Sequence, residues 1–405
     1  MKRSRIDAMI LAQEQLNTLD RAAIEAIQLK KLNRLLAAEQ ERGGFYRGLP
    51  GALASLDALS ELPFTTDEEL AHHAAGLLLL SQSRVQRVLS DATSGTTGAA
   101  KRVFYTEKDL ESTVQLYTAG LGELVFPGSV TLIGFPFSGP FGLGELIAEA
   151  IERLGARAIK AGPGLSYGEY AALLKNERPD TFVGMPVQLL SILRGCGKGS
   201  LKRALVSGDA CPKSVIEAGE AILSSRLYPH YGSREMGMAG AITCEAHEGM
   251  HLRENCVIAE IVDPAGQVLP RGEWGELVIT TVGMEALPLI RYRTGDYTRI
   301  LPEPCPCHSA TLRLDTVSRM GEREIEALDN ALFPIPELVD YRAERDGEKL
   351  YIRALVTTAE GEEKLQKALR DACPGPKTEC AVSFLQMSDH ALYRGKRTIL
   401  RGGNT

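Results

Sequence analysis

Twelve consecutive residues read Ser90-Asp91-Ala92-Thr93-Ser94-Gly95-Thr96-Thr97-Gly98-Ala99-Ala100-Lys101. Two glycines permit close backbone approach, three threonines and two serines add hydroxyl donors, and the lysine supplies a point charge. Such a stretch can bend around an anion and cradle phosphates. It is not a Walker loop, because Gly95 and Gly98 are only three apart and Lys101 precedes Arg102 rather than Ser or Thr. A polar turn between two strands has the same composition, so partners elsewhere in the chain must decide.

Those partners follow in order. Tyr231-Gly232-Ser233-Arg234-Glu235 comes first, then Gly272-Glu273-Trp274-Gly275-Glu276-Leu277, then Arg291-Tyr292-Arg293-Thr294-Gly295-Asp296, with Leu62-Pro63-Phe64-Thr65-Thr66 upstream of the loop. Together they resemble the motifs of the adenylate-forming ligases, specifically the phenylacetate-CoA ligase branch, from about residue 25 to about residue 320. The resemblance implies ATP-dependent activation of a small carboxylic acid, aryl or arylacetic, to an acyl-adenylate, followed by transfer to coenzyme A. Two other readings stay open: transfer to a carrier-protein thiol, and a non-catalytic homologue that binds nucleotide or acyl-adenylate.

Attack of a carboxylate on the α-phosphorus of ATP develops charge on equatorial oxygens and on departing pyrophosphate, which calls for positioned cations and N–H donors. The resemblance assigns these parts residue by residue. Thr93, Ser94, Gly95, Thr96, Thr97, Gly98 and Lys101 would hold the β- and γ-phosphates, and Glu235 would be a Mg²⁺ ligand. Tyr231, with Gly232 and Ser233, would face adenine; Asp296 would accept from the ribose hydroxyls and Arg319 would reach the ribose. Lys396, in a Gly-Lys context, matches the lid lysine that neutralises the adenylation transition state. Arg234 stands where the family has a threonine on the α-phosphate, and a guanidinium can meet phosphate bidentately.

A second constellation combines Cys244 and His251 with Cys305-Pro306-Cys307. Three thiols and an imidazole suit tetrahedral Zn²⁺ with no open position, a structural site, with His247 and His308 as competing ligands. The phenylacetate-CoA ligase branch contains members with cysteines in this region.

The elements that must position these groups show as alternating patterns. Residues 21–41 read as an amphipathic helix, Thr66 and Thr106 as N-caps of further helices. Strands are expected at 131–135, 156–160, 181–185 and 203–207, separated by helices at 143–154, 167–174, 187–193 and 212–222, which gives a helix-covered, mostly parallel sheet. Ligands bind such sheets at the carboxyl ends of their strands. There lie Phe135, Phe137 and Phe141, the run Ser207-Gly208-Asp209-Ala210, and Tyr231. Gly208 and Asp209 are therefore cofactor-loop candidates, and Phe135, Phe137, Phe141 and Ala210 pocket candidates, with core packing the alternative for the phenylalanines. Strands at 257–262, 276–281 and 288–293, with a turn at Asp263-Pro264-Ala265-Gly266, make a small β subdomain.

The expected architecture is thus α/β: an adenylation domain over 1–317, with its β subdomain at about 256–317, and a small α+β lid over 318–405. At 405 residues the chain is long enough for such a division. A net charge of −6 without a basic run argues against a nucleic-acid partner. No uninterrupted apolar segment suits a leader or a membrane span, so a cytoplasmic protein is expected, and eight cysteines are then thiols or metal ligands rather than a disulfide framework. Oligomeric state, a homodimer included, is left open.

Overall fold

A computed structural model describes residues 3–91, 101–372, 378–390 and 396–401. The chain is mixed α/β and forms two compact units, each made from two chain segments: Met1–Glu123 with His230–Val317, and Leu124–Pro229 with Ser318–Thr405. No helix among the described residues is long and apolar enough to cross a membrane.

In the first unit, local chemistry sets the helix starts. Asp20 caps Arg21–Arg42 by accepting the Ala23 N–H, and the helix stops at Gly43, whose φ of +66° a side chain would resist. Capping boxes open Asp67–Leu77 (Thr66 with Glu69) and Glu107–Leu121 (Thr106 with Asp109). Strands Arg87–Asp91 and Lys101–Tyr105 pair antiparallel, and their last rung is Asp91 against Lys101, so the glycine-threonine stretch connects the two arms of a ribbon. Strands Val257–Val262, Gly275–Thr281 and Tyr292–Thr298 form an antiparallel sheet. A smaller antiparallel set joins His230 and Tyr231 to Ala241–Thr243, Met250–Leu252 and Arg313–Leu314.

The second unit carries the parallel sheet: Arg203–Val206, Thr181–Gly184, Val130–Ile133 and Arg157–Lys160, in that order. Helix Pro186–Cys196 is buried on two sides. Leu189, Ile192 and Leu193 pack on Leu132, Phe182 and Ala204 of the sheet, while Val187 and Leu190 pack on Leu328, Leu332, Phe333 and Tyr341 of the carboxyl-terminal segment. That segment is an α+β layer of helices Arg323–Leu332 and Ala359–Ala372 on the sheet Thr378–Phe384, Lys349–Val356, Leu338–Asp346 and Ile399–Arg401.

Three differences from the sequence reading have physical causes. The strand expected at 288–293 begins only at Tyr292, because Arg291 turns to φ +47° and sends its guanidinium inward to the carbonyls of Ser60 and Leu62 and to Glu260. Strand Leu338–Asp346 escapes the pattern because Arg342, Glu344, Arg345 and Asp346 mask its buried first half. Helix Arg5–Glu14, capped by Ser4, lies among residues where charge and polar side chains break the apolar period.

Buried Asp109 has a second task besides capping. Its oxygens accept from the backbone N–H groups of Thr106 at 2.9 Å, Glu285 at 2.7 Å and Ala286 at 3.1 Å. Asp109→Ala leaves these donors without their acceptor and should lower unfolding free energy by roughly 3 kcal/mol, with Asp109→Asn losing about half as much, read by urea denaturation.

Candidate active site and cysteine cluster

Lys101 leaves the ribbon's connection and enters a nest of acids in the first unit. Its Nζ lies 2.6 Å from Glu235 Oε1, 3.1 Å from Asp67 Oδ1 and 3.1 Å from the Tyr292 hydroxyl. The same hydroxyl faces Asp67 as a short hydrogen-bond donor and lies 3.4 Å from Glu235 Oε1. Asp67 is offered from the first turn of its capped helix and Tyr292 from the start of its strand. Glu235 sits in the short helical turn Arg234–Met236, closed by Gly237 at φ +78°. Tight backbone passage supports that turn: a Cβ on Gly232 would stand 2.6 Å from the Met238 carbonyl oxygen.

Burial pushes the Glu235 carboxyl toward its neutral form, but the charge and hydrogen bond of Lys101 outweigh it and hold the pKa below the ordinary carboxylate value. Burial likewise pulls Lys101 down, and Glu235 with Asp67 overrides that and raises it. Both groups are therefore charged at neutral pH. Close by, the Tyr105 hydroxyl donates to the Arg234 carbonyl at 2.8 Å. Burial lowers the pKa of the Arg87 guanidinium, and the charge of Arg234 adds to it.

Four residues before Glu235, the Tyr231 hydroxyl donates to Asp296 Oδ2 at 2.6 Å. A bulge aims Asp296 there. Val278 pairs with Arg293 and Glu276 with Tyr297, so Thr294, Gly295 and Asp296 together oppose the single residue Leu277. Gly295 takes φ +69°, and the Thr294 hydroxyl donates to the Leu277 carbonyl while accepting the Asp296 N–H.

Thr93, Ser94, Gly95, Thr96, Thr97 and Gly98 lie outside the described residues. The structure brings together Lys101 with Glu235 and Tyr231 with Asp296, and adds Asp67 and Tyr292, which the sequence reading used only as a helix-start acid and as part of a motif. Their signal was position: Asp67 directly follows Thr65-Thr66, and Tyr292 lies between the arginines of Arg291-Tyr292-Arg293.

The second unit holds the remaining candidates. Gly208 takes φ +84°, which strains any side chain, and a Cβ there would crowd the Phe135 ring at 3.0 Å. Asp209 accepts from the backbone N–H of Arg397 at 2.7 Å and of Ala210 at 2.9 Å, and burial, opposed by those bonds, pushes its carboxyl up to about 7. Phe135 is buried, the Phe137 ring lies under the Lys160 ammonium, and Phe141 is exposed at φ +68°. Arg319 occupies the two-residue strand Ser318–Arg319, and Lys396 is exposed.

The cysteine constellation closes completely. One ligand atom from each of Cys244, His251, Cys305 and Cys307 lies within 4.8 Å of the others, and all four residues are buried. His308 is exposed and His247 half-buried; neither is in the cluster. Two similar turns present the thiols: the N–H of His247 returns to the Cys244 carbonyl and that of His308 to the Cys305 carbonyl, and both histidines take positive φ. His251 Nδ1 lies 2.9 Å from the Thr311 hydroxyl, which leaves Nε2 for the cluster, 3.4 Å from Cys307 Sγ. The Cys307 thiol is held far below the ordinary range, chiefly by a hydrogen bond from Cys244, with His251 contributing.

Known proteins resemble this chain in sequence and in fold. The model of the AMP-binding enzyme family matches residues 92–285. The chain is 29% identical over 329 residues to the phenylacetate-coenzyme A ligase of Thermus thermophilus, covering 76% of this chain and 73% of that one. It is 30% identical over 298 residues to the phenylacetate-coenzyme A ligase of Aromatoleum evansii, covering 69% and 67%. Among solved structures, a 2-hydroxyisobutyryl-CoA ligase in the postadenylation state superposes with a TM-score of 0.76 at 19% identity, covering 95% of this chain and 90% of that one. That likeness is one of fold.

The ion pair carries a pH signature. With Lys101 present, the depressed Glu235 pKa contributes stability that is complete above the ordinary carboxylate value and is lost as pH falls through the folded one. Lys101→Met leaves a buried carboxylate without its cation, which should cost roughly 2–4 kcal/mol at pH 7. The folded pKa of Glu235 then lies above the unfolded one, so the variant should regain stability as pH falls from 7 toward about 4.5. Urea denaturation across that range checks the sign, and a wild-type minus variant difference that grows on acidification would contradict the pairing.

Proposed function

The chain belongs to the phenylacetate-coenzyme A ligase family, and from that premise we propose that its acid substrate is an aryl or arylacetic acid, bound at the strand-end loops that carry Phe135, Gly208 and Ala210. The overall reaction is ATP-dependent, AMP-forming ligation of an acid to coenzyme A. A carboxylate oxygen forms a bond to the α-phosphorus of ATP while the bond to the β-phosphate oxygen breaks and pyrophosphate leaves. The coenzyme A sulfur then bonds to the acyl carbon, AMP departs, and the thiol proton is released.

The observation that carries the reading is that the Lys101–Glu235 pair and the Tyr231–Asp296 bond form in the same unit, with Tyr231 only four residues before Glu235 in the chain. In this reading Lys101 moves its charge onto the β- and γ-phosphates, Asp296 accepts from the ribose, and Tyr231 lines the adenine. Glu235, buried and already ionised, suits a hard cation and would hold Mg²⁺, which supplies charge neutralisation on the polyphosphate. Arg234 adds a guanidinium toward the α-phosphate. Lys396 would neutralise the adenylation transition state, and Arg319 would reach the ribose. A cytoplasmic location goes with this reading, since ATP and coenzyme A are substrates and no described cysteine is in a disulfide.

We assign a structural Zn²⁺ to Cys244, His251, Cys305 and Cys307. Four buried donors with no neighbouring carboxylate in the set leave no open position for chemistry, so the metal would tie the turn at Cys244 to the segment at Cys305–Cys307.

Two measurements test these assignments. Purified protein given ATP, Mg²⁺ and a panel of aryl, arylacetic and aliphatic acids should release pyrophosphate only with an acid, favour the aromatic ones, and form a thioester when coenzyme A is added. A flat response across the panel would remove the proposed substrate class, and acyl transfer only to a phosphopantetheinylated carrier would replace the acceptor. Metal analysis should find one zinc per chain, lost in Cys305→Ser together with several degrees of melting temperature. A metal-free protein of unchanged stability would refute the zinc assignment.

A further inference from the structure

We propose that Arg397 is a positioning residue for Lys396: it fixes the peptide from which the exposed lysine leaves the fold. The inference rests on the reading of Lys396 as the adenylation lysine given above.

Arg397 is held at both its side chain and its backbone. The side chain is only 9% exposed. Nη2 donates to Asp329 Oδ1 at 2.5 Å and Nη1 to the Tyr341 carbonyl at 2.7 Å, while Asp340 Oδ1 lies 3.4 Å from Nη1. The guanidinium also lies over the Tyr341 ring at 4.3 Å and the Phe333 ring at 5.4 Å. Asp329 comes from helix Arg323–Leu332, and Asp340 and Tyr341 from strand Leu338–Asp346, so the arginine ties residue 397 to both the helix and the sheet of the carboxyl-terminal segment. Two residues later the chain joins the sheet, with Ile399 paired to Ala343.

The backbone contact is the telling one. The Arg397 N–H belongs to the peptide that joins it to Lys396, and it donates to Asp209 Oδ2 at 2.7 Å. Asp209 lies in the loop after strand Arg203–Val206, and its other oxygen takes the Ala210 N–H. A half-buried carboxylate that commits both oxygens to backbone N–H groups acts on chain position. The guanidinium cluster alone would staple the terminal segment; the Asp209 bond additionally fixes the peptide plane at residue 396. Lysine's four-carbon stem is flexible, so the placement of its charge depends on where its Cα is held. Displacement of a reacting group by about 1 Å can cost on the order of 100-fold in rate.

The test uses the full chain, the best acid from the panel and two half-reactions: acid-dependent ATP–pyrophosphate exchange, and thioester formation from supplied acyl-adenylate and coenzyme A. Arg397→Met should slow exchange by about 30-fold with KM for ATP and acid within about twofold, leave thioester formation within about twofold, and add nothing to Lys396→Ala in the double variant. Arg397→Lys, which keeps a cation between the two carboxylates, should recover part of the exchange rate. Equal loss in both half-reactions, additivity with Lys396→Ala, or unchanged exchange in Arg397→Met would each overturn the proposal. If Arg397→Met does not fold, Arg397→Lys decides, with a selective loss of exchange of about threefold or more in support and a parallel loss against. Unchanged exchange in Lys396→Ala would remove the lysine's role itself, and the proposal with it.

Discussion

An ammonium that is only 17% exposed has to be neutralised where it stands, and the first unit is arranged around that demand at Lys101. The compensating groups come from three separate places in the sequence, and each is put there by a local backbone device. A capping box fixes the helix start that offers Asp67, a left-handed glycine closes the turn that carries Glu235, and the left-handed Arg291 turns the chain into the strand that begins at Tyr292. None of these devices involves the lysine directly. The ion pair therefore depends on independent local choices agreeing with one another, which is how a sequence specifies one arrangement.

The same unit solves a larger problem with the same chemistry. It is assembled from two stretches of chain separated by more than a hundred residues, and carboxylates hold them together through backbone donors. Asp109 accepts from Glu285 and Ala286, Asp7 accepts the Ala310 N–H, and Glu254 accepts the Leu312 N–H while pairing with Arg21 at 2.6 Å. Hydrogen bonds to ionised acceptors are stronger and shorter than neutral ones and directional enough to set register. The Asp109 and Asp7 bonds and the Arg21–Glu254 pair join one segment to the other, while the Leu312 bond fixes Glu254 within its own, so the unit's folding couples its ends to its middle.

Much of this was legible in the sequence, and what was not follows a rule. Helix starts at Asp67 and Glu107 and the four parallel strands could be read because their signals are local: a cap, an acid three residues on, a short apolar run. The motifs mark Lys101, Glu235, Tyr231 and Asp296 as residues for one nucleotide, but not the contact between Lys101 and Glu235, because two residues with different ligands need not touch. Tyr292 was hidden for another reason. An aromatic residue in a strand reads as packing, and its hydroxyl becomes informative only when burial brings it to two carboxylates. Strand Leu338–Asp346 was lost where surface charges overwrite the alternation, and the bulge at Asp296 depends on register, which a single strand does not display.

Two of the polar clusters in the first unit stand in contrast. At Lys101 the side chains supply both signs of charge, one ammonium against the carboxylates of Glu235 and Asp67. The cysteine cluster consists of three thiols and an imidazole. Its members shift one another's titration. Cys307 is driven toward thiolate, while Cys244 is pushed up by its hydrogen bond to Cys307 and by burial; at His251 burial would lower the pKa, but the hydrogen bonds and charge of Cys305 and Cys307 raise it to about 9. Cys244 and His251 thus retain protons more tightly than free cysteine or histidine would. The Zn²⁺ assigned above would displace these shared protons, with the ligand geometry already set by Thr311 and the two turns. Among its described residues the first unit thus contains one cluster held by opposite charges and one set of soft donors that share protons among themselves.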